Sequence, residues 1–349
     1  PGAADLYQEG MTMKSKSYTA IDIAKYISAL LVVYIHTFPL ADISADLNMI
    51  VLQAVCRIAV PFFFTVSAFL FFRRIDVQAG WRDEVNLAQL KHFLRRIGTL
   101  YLVWTIIYLP YTAIQLHNGA SILRWLFDCV FNGSYYHLWF LPALMLATLI
   151  VYLLYLNCGM KKSLIVCGLL YLAGSAVNVY GDVLCQIPVL GSAVSAYLSV
   201  FTTARNGIFF GPIFILLGAL LQRAPVRSKR EHALGMGISY LLLLGEEGIA
   251  WLSGNMHDLT SMYVMMVPFV YFLVGALLQV RGPAAPLHQF LRQSSQLIYV
   301  SHILFAMPLL SLLGGHHLLV YLLVLAASQL LAAAIILLSR RFAWMKVLY

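Results

Sequence analysis

Runs of about twenty apolar residues recur along this chain, parted by short polar loops, and that pattern leaves few folds open. As a helix, such a run covers the ~30 Å hydrocarbon core of a bilayer. Inside lipid every backbone N–H and C=O must be satisfied within the protein, so only helices or a closed barrel can span. Barrel strands would alternate apolar and polar residues over short segments, whereas stretches such as 26–35 and 318–327 are apolar almost throughout. Composition agrees: charged residues make up only 11% of the chain, against about a quarter in a soluble domain. The fold expected is an all-α integral membrane bundle of about ten transmembrane helices. They are placed at 18–38, 53–72, 93–115, 137–156, 163–180, 207–222, 233–252, 262–280, 296–313 and 318–339. The fifth and sixth are the least sharply bounded, because 181–203 is itself apolar and has room for a partial helix. The segment 121–131 reads as an amphipathic helix lying at the interface.

The net charge of +9 is not read as a nucleic-acid signal, because its placement is topological. With the N-terminus inside, all of the 23 Lys and Arg fall on cytoplasmic segments except Lys25, Arg57, Arg124 and Arg205, as the positive-inside rule requires. Both termini are then cytoplasmic. The chain divides into an N-terminal arm (1–17), a ten-helix membrane domain (18–340) and a cytoplasmic stub (341–349). Residues 1–10 are unlike the rest and read as a fusion remnant ahead of a native start at Met11 or Met13. Five scattered cysteines without a C-x-x-C pair (Cys56, Cys129, Cys158, Cys167, Cys185) read as small buried apolar residues.

Within the first span stand an acid, an ammonium and an imidazole: Asp22, Lys25 and His36. The eleven residues from Lys25 to His36 return to within ~20° of the same helix face, ~16 Å along the axis. Ionisable groups in a span are costly and tend to mark a functional path; the plainer alternative is an interfacial Asp22–Lys25 pair with His36 reaching the headgroups. Topology puts Lys25 in the inner half and His36 near the outer end. Arg57, Arg205, His137 and the pair Glu246–Glu247 fall at a similar outer depth. Adjacent glutamates point ~100° apart, so one is expected to meet Arg57, Arg205 or His36 while the other borders water or stays protonated. An interhelical ion pair that fixes packing is the structural alternative, although such pairs add little stability over apolar packing. Pro61 bends the second helix, and Ser67 can repair the freed carbonyl or donate to a ligand. Arg73, Arg74, Arg95 and Arg96 cluster on the inner side, either as topological anchors or as a phosphate site for a cytoplasmic donor. His302, placed about one and a half turns into the ninth helix, faces that donor region or is a satisfied packing residue. No zinc spacing, P-loop, G-x-G-x-x-G or G-x-S-x-G appears, so neither a metal nor a resident cofactor is expected.

Three motifs together resemble the acyltransferase-3 superfamily of bacterial membrane proteins. Lys25-x10-His36 is similar to its Arg-x10-His signature, with lysine where the family has arginine. Pro61-Phe62-Phe63-Phe64 with Ser67-Ala68-Phe69-Leu70 is similar to its second-helix motif, with Ala68 for glycine, and Ile298-Tyr299-Val300-Ser301-His302 to its ninth-helix Ile-Tyr-x-x-His. The likeness covers 19–340 and implies a ten-helix bundle in a bacterial plasma membrane. Further blocks are similar to the membrane domain of VanT-type serine racemases of vancomycin-resistant enterococci: 35–40, 136–144, Ala204-Arg205-Asn206-Gly207-Ile208-Phe209-Phe210, and the loop from His257-Asp258 to Tyr263. In that group the membrane domain is thought to supply L-serine to a fused cytoplasmic pyridoxal-phosphate racemase, whose D-serine enters cell-wall precursors.

Three functions follow as expectations. In the first, the domain handles L-serine for a cytoplasmic racemase domain: Arg57 or Arg205 takes the carboxylate, Glu246 or Glu247 the ammonium, and His36 and Lys25 line the route inward. In the second, implied by the family, acyl-CoA is the donor, His36 activates an acyl acceptor or carries the acyl group, and the inner arginines hold the CoA phosphates. In the third the domain only anchors a racemase to the bilayer.

Overall fold

The computed structural model describes residues 16–349 apart from 224–226, 258 and 284. The expectations for residues 1–15, including Lys14, and for Asp258 lie outside the described residues. Nearly everything else is helical. Helix α1 is Thr19–Thr37 and α2 is Ala45–Ala54, opened by Ser44, whose hydroxyl accepts from Leu47 N–H. A 3₁₀ turn, Cys56–Ile58, joins α2 to α3, Ala59–Phe72. The break has a local cause: Pro61 has no N–H for the Arg57 carbonyl, so the regular ladder cannot run through this point. The expected second span thus begins earlier and carries a corner at Arg57.

Helix α4, Glu84–His117, starts nine residues before the expected position because Asp83 caps it by accepting from Asn86 N–H at 2.8 Å. The expected amphipathic helix is present as α5, Ile122–Phe131, with an Arg124–Asp128 ion pair at 3.2 Å on its polar face. Helix α6 runs Phe140–Val179 but is interrupted at Gly159 (φ 74°, ψ 171°), a conformation suited to glycine. A straight helix would hold Trp139 and Tyr171 ~48 Å apart. Both instead contact the Phe210 ring, at centroid distances of 5.9 and 6.3 Å, so the chain folds back at Gly159 into two antiparallel helices. The apolar stretch after it forms two short helices, α7 (Gly181–Cys185) and α8 (Pro188–Phe201). Then come α9 (Gly211–Arg223), α10 (Lys229–Leu252), α11 (Met266–Leu278), α12 (Pro286–Leu312) and α13 (His317–Leu338), with a closing 3₁₀ segment Ala343–Leu348.

Among the described residues, seven helices are long and apolar enough to cross a bilayer, counting α2–α3 and α6 as one each. The chain is an all-helical, multi-pass membrane protein. Its core packs α3 on α9, α6 on α9, α10 on α11, and α12 between α1 and α13. The α3–α9 contact needs Gly218: a Cβ there would lie 2.4 Å from the Thr65 carbonyl oxygen and 2.6 Å from Ala68 Cβ. Small residues on facing helices allow this approach, and Ala68 is the residue that stands where the resembling family has glycine. A two-residue antiparallel pairing, β1 (Lys16–Ser17) with β2 (Gly282–Pro283), ties the start of the described chain to the loop ahead of α12. Helices α1 and α12 run in the same direction, since Asp22 meets Arg292 (3.6 Å) at one end and His36 meets His302 at the other.

All five cysteines are free, and only Cys56 and Cys167 are buried as expected; Cys129 is half-buried, while Cys158 and Cys185 are exposed. Cys158 adjoins the Gly159 corner and Cys185 ends the short α7, so neither is enclosed by the bundle.

Candidate functional site

Arg57 sits on the corner between α2 and α3, buried to 5% exposure. Its Nε donates to Gln53 Oε1 at 3.3 Å, and Gln53 Nε2 donates to the His257 carbonyl at 2.8 Å, so the guanidinium is held from behind by the loop after α10. Arg205 enters from the segment between α8 and α9. There Asn206, 1% exposed, folds the chain: its Oδ1 accepts from Ile208 and Phe209 N–H, and its Nδ2 donates to Tyr197 and to the Thr203 carbonyl. The Arg205 guanidinium lies 5.0 Å from the centre of the Trp139 ring, a cation–π contact.

Three imidazoles meet at this level. His36 comes from the last turn of α1, His137 from the segment before α6 and His302 from the middle of α12. The His36 and His302 ring centres are 5.2 Å apart, those of His137 and His302 4.9 Å, and Tyr136 packs edge-on to His36 at 4.9 Å. The 134–139 segment is locked to α12, because Tyr299 donates to the His137 carbonyl at 2.6 Å and His137 Nε2 donates to the Val300 carbonyl at 3.1 Å. His36, His137, Arg57, Arg205 and Tyr136 line a cavity of about 50 Å³, closed by Trp139, Phe140, Tyr299 and aliphatic side chains. Two guanidiniums and two imidazoles thus face a space of small-molecule size, with no acidic side chain on its wall among the described residues.

The position of His302 corrects the sequence reading. Helix α12 starts at Pro286, ten residues before the expected boundary, because the polar run His288–Gln296 is helical too. His302 therefore lies ~24 Å along the helix, beside His36, and not at the donor end. Glu246 is likewise not on the cavity wall. Its carboxylate accepts from Val264 and Met265 N–H, both at 2.8 Å, and so caps α11. Glu247 is buried, with Arg57 near enough to act on its charge. Ser67 is half-buried on α3, away from the cavity lining, and Thr65 is the residue that bonds back along the helix, donating to the Pro61 carbonyl at 3.0 Å.

At the other end of α1, Lys25 has Asp22, Arg292 and Arg96 close enough to act on its charge. Arg96 also lines a second, larger cavity of about 450 Å³ with His92, Arg95, Gln296, Lys346 and Tyr349. The closing 3₁₀ segment forms one of its walls, held by Trp104 Nε1 donating to the Leu348 carbonyl at 3.1 Å. Arg73 is apart from this cavity and lies over the Tyr18 ring at 5.7 Å. Among the described residues no group of three His, Cys, Asp or Glu is placed to hold a metal ion.

The model of the acyltransferase-3 family, described as an acyltransferase domain, matches residues 18–338. Among curated proteins the chain is similar to an amino-acid racemase of Enterococcus faecalis, 31% identical over 77% of this chain and 37% of that protein. It is also similar to a serine/alanine racemase of Enterococcus gallinarum, 30% identical over 76% of this chain and 38% of that protein. The chain thus spans less than two-fifths of the length of these relatives. No solved structure matches it.

Proposed function

This chain belongs to the acyltransferase-3 family, and from that premise we propose that it transfers an acyl group from a cytoplasmic CoA thioester to a small hydroxyl- or amine-bearing acceptor at the His36 cavity. The reading takes the bundle as ten spans with both termini cytoplasmic, in a bacterial plasma membrane. Lys25 then lies toward the cytoplasm and His36 toward the outside. The observation that carries it is the way α1 spans between two basic cavities: Arg96, which lines the larger one, is close enough to Lys25 to act on its charge, and His36 lines the smaller one. Arg95, Arg96, His92 and Lys346 suit the phosphates of CoA. An extended pantetheine arm is long enough for the ~16 Å that separate the two ends of the signature. At the outer cavity, His36 is the general base or the nucleophile, while Arg57 and Arg205 stabilise the oxyanion that forms on the acyl carbonyl oxygen.

A second reading has its own support. Two arginines on a cavity of about 50 Å³ suit the carboxylate of a small amino acid, and the relatives named above are racemases. In that case the domain binds L-serine from outside and supplies it to a cytoplasmic racemase domain. The ammonium would then meet the imidazole lone pairs and the Tyr136 ring, since Glu246 serves α11.

One preparation separates the two. Purified protein in proteoliposomes is given acetyl-CoA labelled in the acetyl group, with L-serine as acceptor, and in parallel labelled L-serine alone. Thiol release with label transfer, lost in His36→Ala, supports acyl transfer. Saturable L-serine counterflow without thiol release, lost in Arg57→Ala, replaces it with the supply reading.

A further inference from the structure

His302 belongs to none of the roles above, yet it is fully buried and its ring is 5.2 Å from that of His36. Its tautomer follows from its partners. His302 Nδ1 lies 3.1 Å from the Ile298 carbonyl oxygen and 2.8 Å from that of Tyr299. Carbonyls only accept, so Nδ1 carries the proton and Nε2 presents a lone pair. The same logic applies to His137: its Nε2 donates to the Val300 carbonyl, leaving the lone pair on Nδ1. Both lone-pair nitrogens are buried and have no hydrogen-bond partner among the described residues, and His36 Nδ1 is buried and unpartnered beside them. His137 and His302 cannot bond each other through two lone pairs. Of the three imidazoles, His36 is the one whose proton is not already committed to a backbone carbonyl.

We propose that His302 is the positioning residue for His36: its Nε2 accepts a hydrogen bond from His36 Nδ1–H and thereby turns the His36 Nε2 lone pair to the cavity. The ring centres are 5.2 Å apart and tilted by 30°, and in this proposal the bond forms by rotation of the His36 imidazole about its broad terminal torsion, His302 being held by its Nδ1 contacts. Hydrogen bonds of this kind often tighten only once substrate is bound. The arrangement does with an imidazole acceptor what a carboxylate does in a Ser-His-Asp triad: it fixes the tautomer and steadies the imidazolium when the other nitrogen takes up a proton. The inference rests on the reading of His36 as the reacting imidazole.

The test is ¹⁵N-histidine NMR of the full chain in lipid nanodiscs at alkaline pH, with the His36 signal assigned by its loss in His36→Gln. The expected result is neutral His36 with its proton on Nδ1. His302→Gln, which keeps an acceptor oxygen, preserves that tautomer, and His302→Phe, which keeps a ring of similar size, releases it to Nε2–H. Wild-type His36 protonated on Nε2, or a tautomer unmoved by a folded His302→Phe, overturns the proposal. The wild-type spectrum decides even where that variant does not fold. With acetyl-CoA and L-serine, His302→Phe is expected to lower kcat about 100-fold at nearly unchanged KM, with partial rescue in His302→Gln. A wild-type protein that releases no thiol defeats the acyl-transfer reading and leaves the tautomer result standing by itself.

Discussion

Asn206 is a neutral amide, yet four hydrogen bonds pass through its side chain, and together they shape the segment that delivers Arg205. Asn206→Ala leaves two part-buried backbone N–H groups without their acceptor, which costs up to about 1–3 kcal/mol each when not relieved by water. The expected outcome is a lower thermal midpoint in detergent together with loss of acetyl transfer, whereas Arg205→Ala loses transfer at a nearly unchanged midpoint. Gln53 does the same service for Arg57 from one turn away. The charges at this level, His36, Arg57, Arg205 and His137, could be read from sequence because ionisable groups stand out in apolar runs. The amides that hold them could not, since an isolated Asn or Gln at a loop or helix end gives no periodic signal. His302 stood out as an imidazole, but its depth depends on where α12 begins, and the polar start of that helix hides the boundary.

At the scale of elements, the α3–α9 contact is the one most exposed to a single substitution. Gly218→Ala places a methyl group inside contact distance of the Thr65 carbonyl and of Ala68, so one helix must move. Overpacking of this kind costs about 1–3 kcal/mol, measurable as a lower midpoint in thermal unfolding, and Ala68→Gly is expected to recover part of it. Because α3 carries the Arg57 corner at its start, the same variant should also weaken whatever binds at the outer cavity. Sequence periodicity located the helices of this bundle and the turn between 156 and 163, which the structure places at Gly159, but not the corner inside the expected span 53–72. The break at Arg57 comes from one missing N–H, a local event that a twenty-residue hydropathy window averages away.

For the whole molecule, orientation is the expectation that most rewards a direct measurement, and the exposed cysteines supply the probes. Cys158 adjoins the Gly159 corner, next to Lys161 and Lys162, and Cys185 lies in α7 beyond the next helix. With both termini cytoplasmic, a membrane-impermeant maleimide should label Cys185 in intact cells and Cys158 only after permeabilisation. The reverse pattern would invert the bundle and put His36 on the cytoplasmic side. The distribution of Lys and Arg is the ground for this expected orientation, whereas the convergence of α1, α12 and the 134–139 segment on one imidazole cluster required the fold. Those three pieces are far apart along the chain, and no local pattern announces their meeting.

The corner at Gly159 has a consequence for how the protein is made. Two helices that turn on a single residue leave only a few polar residues, Asn157, Lys161 and Lys162, around the bend while the first helix settles. They are expected to partition from the translocon into lipid as a pair, and with both termini cytoplasmic Lys161 and Lys162 would keep the bend on the side of synthesis. Lengthening that bend with a flexible insert would let each helix partition separately. Glycosylation-mapping of nascent chains should then catch the first helix integrated alone, a state absent from the natural sequence.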